Sequence, residues 1–371
     1  MKVGILGGGQ LAQMLAQAGK DLGLKFKFIC PDEHACASRY AEQIRKAYDD
    51  QSAHQELIDW ADVITYEFEN IPTDMVRKLE QSSTLYPPSG ALATAADRMS
   101  EKTMFNALGI GTADYRAINS LQDLEKAIET IGRPSILKTR SDGYDGKGQV
   151  VIRDNTNLSE AWDTLLGVPC ILESMVDFDR EVSIIASRKP NGDIEFFPLT
   201  ENHHREGILR LSLCLDKEPL QSKAEDMVRK ITEHLSYVGT VALELFQKGD
   251  ALLANEIAPR VHNSGHWTQD GTNVSQFENH LRAVCDLDLV KPELLAPAAM
   301  VNLIGTLPDG EQVQKYPSSV SHVYGKSERP GRKLGHINLT AKKATTEQFE
   351  EQLVSLLELV GEDGLAKMSK D

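Results

Sequence analysis

The opening thirty residues constrain this chain most. An apolar run, Val3-Gly4-Ile5-Leu6, is followed at once by Gly7-Gly8-Gly9, then by helical spacing over Leu11 to Lys20, then by a second strand-like run, Lys25 to Cys30. Short apolar runs bounded by turn residues predict buried strands, and their alternation with a helix predicts a doubly wound parallel sheet. A later run, Val63-Ile64-Thr65-Tyr66, reads as another buried strand and ends in Glu67-Phe68-Glu69-Asn70. Acidic and amide groups are thereby expected at the carboxyl edge, where such sheets bind ligands. Tyr86-Pro87-Pro88-Ser89-Gly90 breaks the alternation and reads as the exit from this domain.

Past that break we expect helices over about 91–109 and 120–131, then a β-rich stretch. Strand character recurs at Ser135 to Lys138, Gln149 to Ile152, Cys170 to Glu173, Glu181 to Ala186 and Ile194 to Leu199. After a helix over 218–236 come strands Val241 to Gln247 and Leu252 to Ile257, and a last unit has strands near 300–306 and 320–325 and a helix at 346–360. A length of 371 residues exceeds one ordinary core and suggests two or three domains. Hydrophobic content of 41% and charged content of 26% are those of a soluble globular protein.

Several function classes are disfavoured early. The chain starts on a strand without a basic, cleavable leader, and no apolar run approaches the roughly 18 residues that span a bilayer. A cytoplasmic protein with no membrane partner is expected. Cys30, Cys36, Cys170, Cys214 and Cys285 are scattered without a Cys-x-x-Cys pair, which argues against a disulfide framework and a thiolate metal site. A formal charge of −15 disfavours a nucleic-acid partner. It does not disfavour a nucleotide, because a few local cations and a divalent ion outweigh distant surface charge that salt screens over roughly 8 Å.

Three segments carry chemistry. Gly143-Tyr144-Asp145-Gly146-Lys147-Gly148-Gln149 joins two expected strands, so it reads as a hairpin tip whose glycines let backbone N–H groups approach an anion. Near Asp250 a short turn containing Lys248-Gly249-Asp250 joins two strands, and with a three-residue loop the pairing is expected to set Glu244 opposite Glu256 on one face. Like charges opposite one another destabilise a bare sheet, so a cation between them is implied, and oxygen ligands suit Mg²⁺. Glu256 is followed by Ala258-Pro259-Arg260-Val261-His262-Asn263-Ser264-Gly265-His266-Trp267. The His-x-x-x-His spacing invites zinc, but Ser264-Gly265 disfavours a helix and no glutamate lies between the histidines. Arg260 and His262 are read instead as anion and substrate ligands.

Gly7-Gly8-Gly9-Gln10-Leu11-Ala12 fits G-x-G-x-x-A between a strand and a helix, with Asp32 beyond the second strand. A nicotinamide dehydrogenase follows from that pattern alone. Any phosphate can sit on a helix start after a glycine turn, however, and we read this one as holding the phosphate of a phosphorylated substrate.

The ordered set of Asp97-Arg98, Lys138, the 143–149 loop, Glu173-Ser174-Met175-Val176, Glu181, His204, Glu244, Asn255-Glu256 and the segment after it resembles ATP-grasp enzymes. Within them it is similar to the N5-carboxyaminoimidazole ribonucleotide synthetase family, from Met1 to about Val360, including Tyr324-Gly325-Lys326 and Pro330 to His336. The resemblance implies an ATP-grasp fold in three parts. Residues 1–96 would form a Rossmann-like pre-ATP-grasp domain, 97–291 the ATP-grasp domain with an α+β lid over about 115–180, and 292–371 a β-rich C-terminal domain. The implied activity is ATP-dependent carboxylation of 5-aminoimidazole ribonucleotide by bicarbonate, through carboxyphosphate, in a homodimer.

The same resemblance implies roles. Arg98 and Lys138 would contact ATP phosphates, the loop Gly143 to Gln149 would close over them, and Glu173, Ser174, Met175 and Val176 would lie along the adenine. Glu181 would accept from ribose hydroxyls, His204 would contact ATP, and Glu244 and Glu256 would hold Mg²⁺ with Asn255 assisting. Tyr144, Asp145, Lys147, Arg260, His262, Lys326 and Arg332 would serve the ribonucleotide, with Gly9, Gln10 and Leu11 at its phosphate. Asp145 is the expected orienting group for the substrate amine, and Lys147 stands where many relatives have arginine. A formate-using ribonucleotide transformylase is the nearest rival, the dehydrogenase a remote one.

Overall fold

The computed structural model describes residues 1–141, 143, 148–215 and 218–368. Strands β1 (Lys2–Leu6), β2 (Lys25–Ile29), β3 (Glu42–Ile44) and β4 (Val63–Tyr66) form a parallel sheet in the order β3-β2-β1-β4. The period of two along β1 sorts its residues. Val3 and Ile5 pack with Leu11, Met14 and Leu15 of the helix Gln10–Gly19. Leu6 packs on the other face with Leu57 and Val76, from the helices Gln51–Trp60 and Thr73–Ser82. A strand covered on both faces is apolar at every position, and this is why a continuous run predicted it. Phe277 and Leu281, from a distant helix Gln276–Val284, join the first face and clamp this sheet to the rest of the molecule.

The expected helix over 91–109 is two helices, Ser89–Ala95 and Arg98–Ala107. Asp97 separates them by accepting the Ser100 N–H at 2.9 Å, an N-cap that restarts the backbone and places Arg98 at the first helical position. Next comes a small antiparallel sheet of β5 (Tyr115–Ile118), β6 (Ser135–Thr139), β7 (Gln149–Ile152) and β8 (Cys170–Ser174), in the order β5-β8-β6-β7. The helices Leu121–Ile131 and Leu158–Thr164 cover it with a separate apolar core around Leu124, Leu137 and Leu172.

The largest sheet is antiparallel. It contains β9 (Arg180–Arg188), β10 (Ile194–Phe196), β11 (Thr200–Arg205), β12 (Ile208–Cys214), β13 (Gly239–Lys248), β14 (Ala251–Ala258), β15 (Ala298–Ile304), β16 (Ser319–Val323) and β17 (Lys333–Thr340). Their order is β14-β13-β9-β11-β12-β15-β17-β16, with β10 on β9, so strands after residue 298 extend the sheet begun at 180. Sequence patterning missed β11 and β12. β11 carries polar residues inward, and Asn202 is buried by donating to Ser183 Oγ and accepting from Ser212 Oγ, each at 2.8 Å. Buried polar groups are stable when their hydrogen bonds are made, and such a strand reads as hydrophilic.

The β13–β14 hairpin corrects one expectation. Its turn is two residues long, Gly249-Asp250, closed by Lys248 opposite Ala251. Two-residue hairpins favour glycine at a central position with positive φ, and Gly249 has φ of 54°. That turn alone pairs Leu245 with Ala254, and a bulge at Asn255 then advances the register so that Glu244 faces Glu256. The expected pairing is reached, but through an inserted residue and not through a longer loop.

Candidate active site

Glu244 and Glu256 lie on neighbouring strands and share one face. Burial opposes charge on Glu244, yet the His262 ring, with Nε2 at 3.1 Å from Oε1, and then His204 and Arg260 hold its carboxyl below the ordinary range. Glu256 behaves oppositely. Solvent reaches it, but the surrounding protein and then the Glu244 carboxylate raise it, against Arg98, Lys138 and His262. Among the described residues no ion pair is formed by Glu256 itself. A divalent cation would relieve this repulsion, so the donor set fits Mg²⁺ with further oxygens from phosphate and water.

The cations that face this pair come from the small sheet and the helix beneath it. Lys138, at the end of β6, donates to Glu173 Oε2 at 2.9 Å. Glu173 Oε1 lies 3.7 Å from Lys102 Nζ, and this buried carboxylate is held below its ordinary range by Lys138 and Lys102 despite its burial. Glu173 therefore directs its side chain at the lysines, while its backbone belongs to the strand end expected to meet adenine. At that strand end Ser174 N–H bonds the Asp114 carbonyl at 2.8 Å and Met175 N–H bonds the Pro134 carbonyl at 3.2 Å. Those two donors are already engaged inside the protein.

Arg98 donates to the Thr139 carbonyl at 2.9 Å and the Gly143 carbonyl at 3.4 Å, tying the helix start to the root of the glycine loop. Lys138 pairs with Gln149, so β6 and β7 flank that loop as antiparallel neighbours. Gly148 has φ of 71°, and a Cβ there would stand 2.8 Å from Thr139 Oγ1, so glycine is required at its exit. Tyr144, Asp145, Gly146 and Lys147 lie outside the described residues. Across the cleft, His204 Nδ1 is 2.9 Å from Glu181 Oε2. Burial disfavours charge on His204, but Glu181, Glu244 and Glu256 raise it above the ordinary histidine range.

The helix start at Gly9 is not a vacant anion site. Glu67, from the end of β4, accepts the Gly9 N–H at 2.5 Å and the Ala12 N–H at 2.9 Å. A Cβ at Gly7 or Gly9 would meet this glutamate side chain at 2.3 Å and 2.9 Å respectively. The glycines thus admit Glu67, and the Gly9 N–H of the helix start is spent inside the protein. Gln10 Oε1 accepts from Lys326 Nζ at 2.6 Å, and Leu11 is buried in the sheet's core. Lys326, Arg332 and Cys36 share one neighbourhood, where burial pushes the Lys326 ammonium down. Arg332 donates to Ser327 Oγ at 2.8 Å.

Arg260 forms a two-point pair with Glu69, using Nε to Oε2 and Nη2 to Oε1, so it bridges the first sheet and the segment after β14. The histidines diverge: His262 turns to Glu244, while His266 is fully buried against Phe277 and His336. Zinc coordination by this pair is therefore contradicted. Sequence reading missed Lys102, Glu101 and the anchoring roles of Glu67 and Glu69. The charged pair Glu101-Lys102 after Asp97-Arg98 was the available signal, although only tertiary packing buries it.

Three family models match in chain order: the ribonucleotide synthetase preATP-grasp domain over residues 1–96, the ATP-grasp domain over 103–277, and the phosphoribosylaminoimidazole carboxylase C-terminal domain over 298–352. The chain is 46% identical to the N5-carboxyaminoimidazole ribonucleotide synthase of Pseudomonas aeruginosa, across 96% of this chain and 100% of that protein. It is 40% identical to the Bacillus subtilis protein of the same name, across 90% of each. The crystal structure of the synthetase from Thermus thermophilus superposes with a TM-score of 0.91 at 46% identity, covering 97% of this chain and 98% of that one. An Aspergillus clavatus synthase in complex with ADP and 5-aminoimidazole ribonucleotide superposes at 0.89 with 28% identity, covering 97% and 98%. This chain belongs to the N5-carboxyaminoimidazole ribonucleotide synthase family of ATP-grasp ligases.

Proposed function

We propose that this cleft uses ATP and bicarbonate to carboxylate the 5-amino group of 5-aminoimidazole ribonucleotide, giving N5-carboxyaminoimidazole ribonucleotide, ADP and phosphate. A bicarbonate oxygen attacks the γ-phosphorus and ADP leaves, forming carboxyphosphate. The substrate amine then attacks its carbonyl carbon, phosphate leaves, and the amine nitrogen gives up a proton. The observation that carries this reading is the in-register Glu244/Glu256 pair, repelling one another beside the phosphate-type cations Lys138 and Arg98.

Glu244 and Glu256, with Asn255 on the bulge between them, would hold Mg²⁺. Bound there, the ion would neutralise charge on the transferring phosphoryl group. Lys138 and Arg98 would hold the ATP phosphates, and Gly143 to Gln149 would close over them and exclude water from a mixed anhydride that water destroys. Glu181 and His204 would meet the ribose side of ATP. Arg260 and His262 stand beside the metal carboxylates and would orient the reacting groups, with Asp145 receiving or orienting the amine proton and Tyr144 and Lys147 near it. Lys326, Arg332 and the Gln10-Leu11 helix start would take the ribonucleotide phosphate, with the Glu67 cap setting how close it can come. We propose domain boundaries at 97 and 292, with Lys326 and Arg332 of the last domain joining the first domain's helix start at the ribonucleotide phosphate, and a cytoplasmic homodimer. Among the described residues no helix is long and apolar enough to cross a membrane.

The test is Mg²⁺-dependent ADP release by the purified protein, with 5-aminoimidazole ribonucleotide and bicarbonate added singly and together. Turnover that requires both supports the proposal. Turnover that instead requires formate with glycinamide ribonucleotide would move the function to the transformylase class.

A further inference from the structure

The helix Arg98–Ala107 carries two adjacent buried ionisable side chains that the reaction scheme above leaves without a task. Glu101 and Lys102 are each 2% exposed. Glu101 accepts the Ile257 N–H at 2.6 Å, the peptide bond immediately after Glu256. β14 is the edge of the large sheet, so its outward N–H groups need partners from outside the sheet. The same helix-turn unit supplies another, because the Gly111 carbonyl accepts the Ala254 N–H at 2.8 Å. Ala254 and Ile257 bracket the Asn255-Glu256 bulge, where the backbone departs from regular pairing and the direction of Glu256 is set.

Lys102 turns the other way. Its Nζ stands 3.7 Å from Glu173 Oε1, a buried oxygen with no hydrogen-bond partner, while the other oxygen accepts from Lys138 at 2.9 Å. One carboxylate is thus shared by two ammonium groups, and its side chain is only 4% exposed. A lysine bound to a single carboxylate oxygen keeps its remaining hydrogens for another anion. The position of Lys138 depends on where Glu173 is held, and Lys102 is the second charge holding it.

We propose that Glu101 and Lys102 are positioning residues for phosphoryl transfer. One helical turn fixes the Glu256 backbone through Glu101 and the Lys138 ammonium through Lys102 and Glu173, so the metal-side carboxylate and the phosphate-side lysine are spaced by one rigid element. This rests on the ATP and metal assignments proposed above. Misplacement by a fraction of an ångström is enough to slow an in-line transfer.

Steady-state kinetics on purified variants test it, with the parent's own Mg²⁺-dependent ADP release as the control for the underlying assignment. Lys102→Met is expected to raise KM for ATP roughly tenfold and lower kcat, leaving KM for the ribonucleotide within about twofold. Glu101→Gln, which keeps an acceptor for Ile257, is expected to retain most of the kcat that Glu101→Ala loses. Should Lys102→Met not fold, Glu173→Gln removes the shared charge at nearly constant shape, and it should give the same selective rise. Variants that change thermal stability while leaving KM for ATP and kcat per active site at parent values would overturn the proposal. So would equal rises in KM for both substrates. A parent without ADP release would instead overturn the proposed function.

Discussion

Two places in this molecule look like ligand sites in sequence, one for a phosphate and one for a metal ion, and they differ in how their charge is settled. At the Gly7 to Ala12 turn the exposed backbone donors of a helix start are met by Glu67, 58 residues from Gly9, and the protein supplies its own anion. At the β13–β14 hairpin two carboxylates face one another, and Glu256 is left raised by the surrounding protein and then by its neighbour, while Arg98 and Lys138 stand nearby. A glycine-rich turn of the first kind can be complete without ligand. An arrangement of the second kind is relieved only by a cation and by the anion that brings it. The comparison also weakens the dehydrogenase reading, since Glu67 lies where a pyrophosphate would have to approach Gly9.

The largest expected effect comes from removing charge at the unsettled site. Glu256→Gln should lower Mg²⁺-dependent ADP release by roughly 10²–10³-fold, because the transferring phosphoryl group loses charge stabilisation held in place by the protein. Thermal stability without ligand should be equal to or above that of the parent, since a like-charge pair disappears. Retained turnover, or a marked loss of stability, would show that this pair is a structural element like the Glu67 cap.

A pH experiment addresses the join between the two regions. His280 accepts the Thr240 N–H at Nδ1, 3.0 Å, and so presents Nε2–H to Thr65 Oγ1 at 2.9 Å, linking β4 to β13. Burial lowers this histidine to about 3. A buried neutral base whose folded pKa lies below its unfolded value of about 6.5 contributes stability that is full above that value. It is lost as pH falls from there towards 3, at up to about 1.4 kcal/mol per pH unit. His280→Gln should therefore be less stable than the parent at pH 7, and denaturant titrations should show the gap narrowing between pH 6.5 and 4.5. A gap that stays constant with pH would mean that the link does not depend on the neutral ring.

How much of this was legible depended on the range of the interaction. The βαβ opening followed from period and turn residues because strands buried on both faces leave a continuous apolar run. The antiparallel strands on either side of the glycine loop, with Lys138 at the end of one, were legible because neighbouring strands of this kind pair locally. The register of Glu244 against Glu256 was expected for a turn length that does not occur, and only the Asn255 bulge, which has no sequence signal, restores it. Glu67 at Gly9, Glu69 at Arg260, 191 residues away, and Lys102 at Glu173 were not legible as pairs, because nothing along the chain says which distant charge a buried carboxylate will meet. β11 was missed for a related reason, since its polar residues are buried by partners on other strands.

Removing the carboxylate at the settled site is expected to cost stability. Glu67→Ala leaves one buried and one partly buried N–H donor without an acceptor, which costs about 2 kcal/mol, read as a lower denaturant midpoint at unchanged slope. Burial raises the Glu67 carboxyl while the Ala12 and Gly9 N–H groups, Lys326 and Arg260 draw it back, so part of the loss is offset by removal of a poorly solvated charge. A variant as stable as the parent would mean that solvent or another group satisfies the helix start, and the contrast drawn above would lose one side.

The smallest effect separates a cap made over distance from one made locally. Asn157 accepts the Ser159 and Glu160 N–H groups at 3.0 Å and 3.3 Å at the start of the Leu158–Thr164 helix, the same two-donor arrangement that Glu67 makes. Its acceptor is two residues away and is exposed, so Asn157→Ala should cost about 1 kcal/mol or less, because water can take over both donors. The loss should appear as local amide exchange in the small sheet and its helices, with the global midpoint almost unmoved. Glu67 ties the end of β4 to the start of a different helix, so its loss should instead lower protection across the whole first sheet. If both variants change exchange only locally, the Glu67 contact is a helix cap and nothing more. If Glu67→Ala spreads through the sheet, the glycine turn that resembles a cofactor motif is a device for holding two elements together.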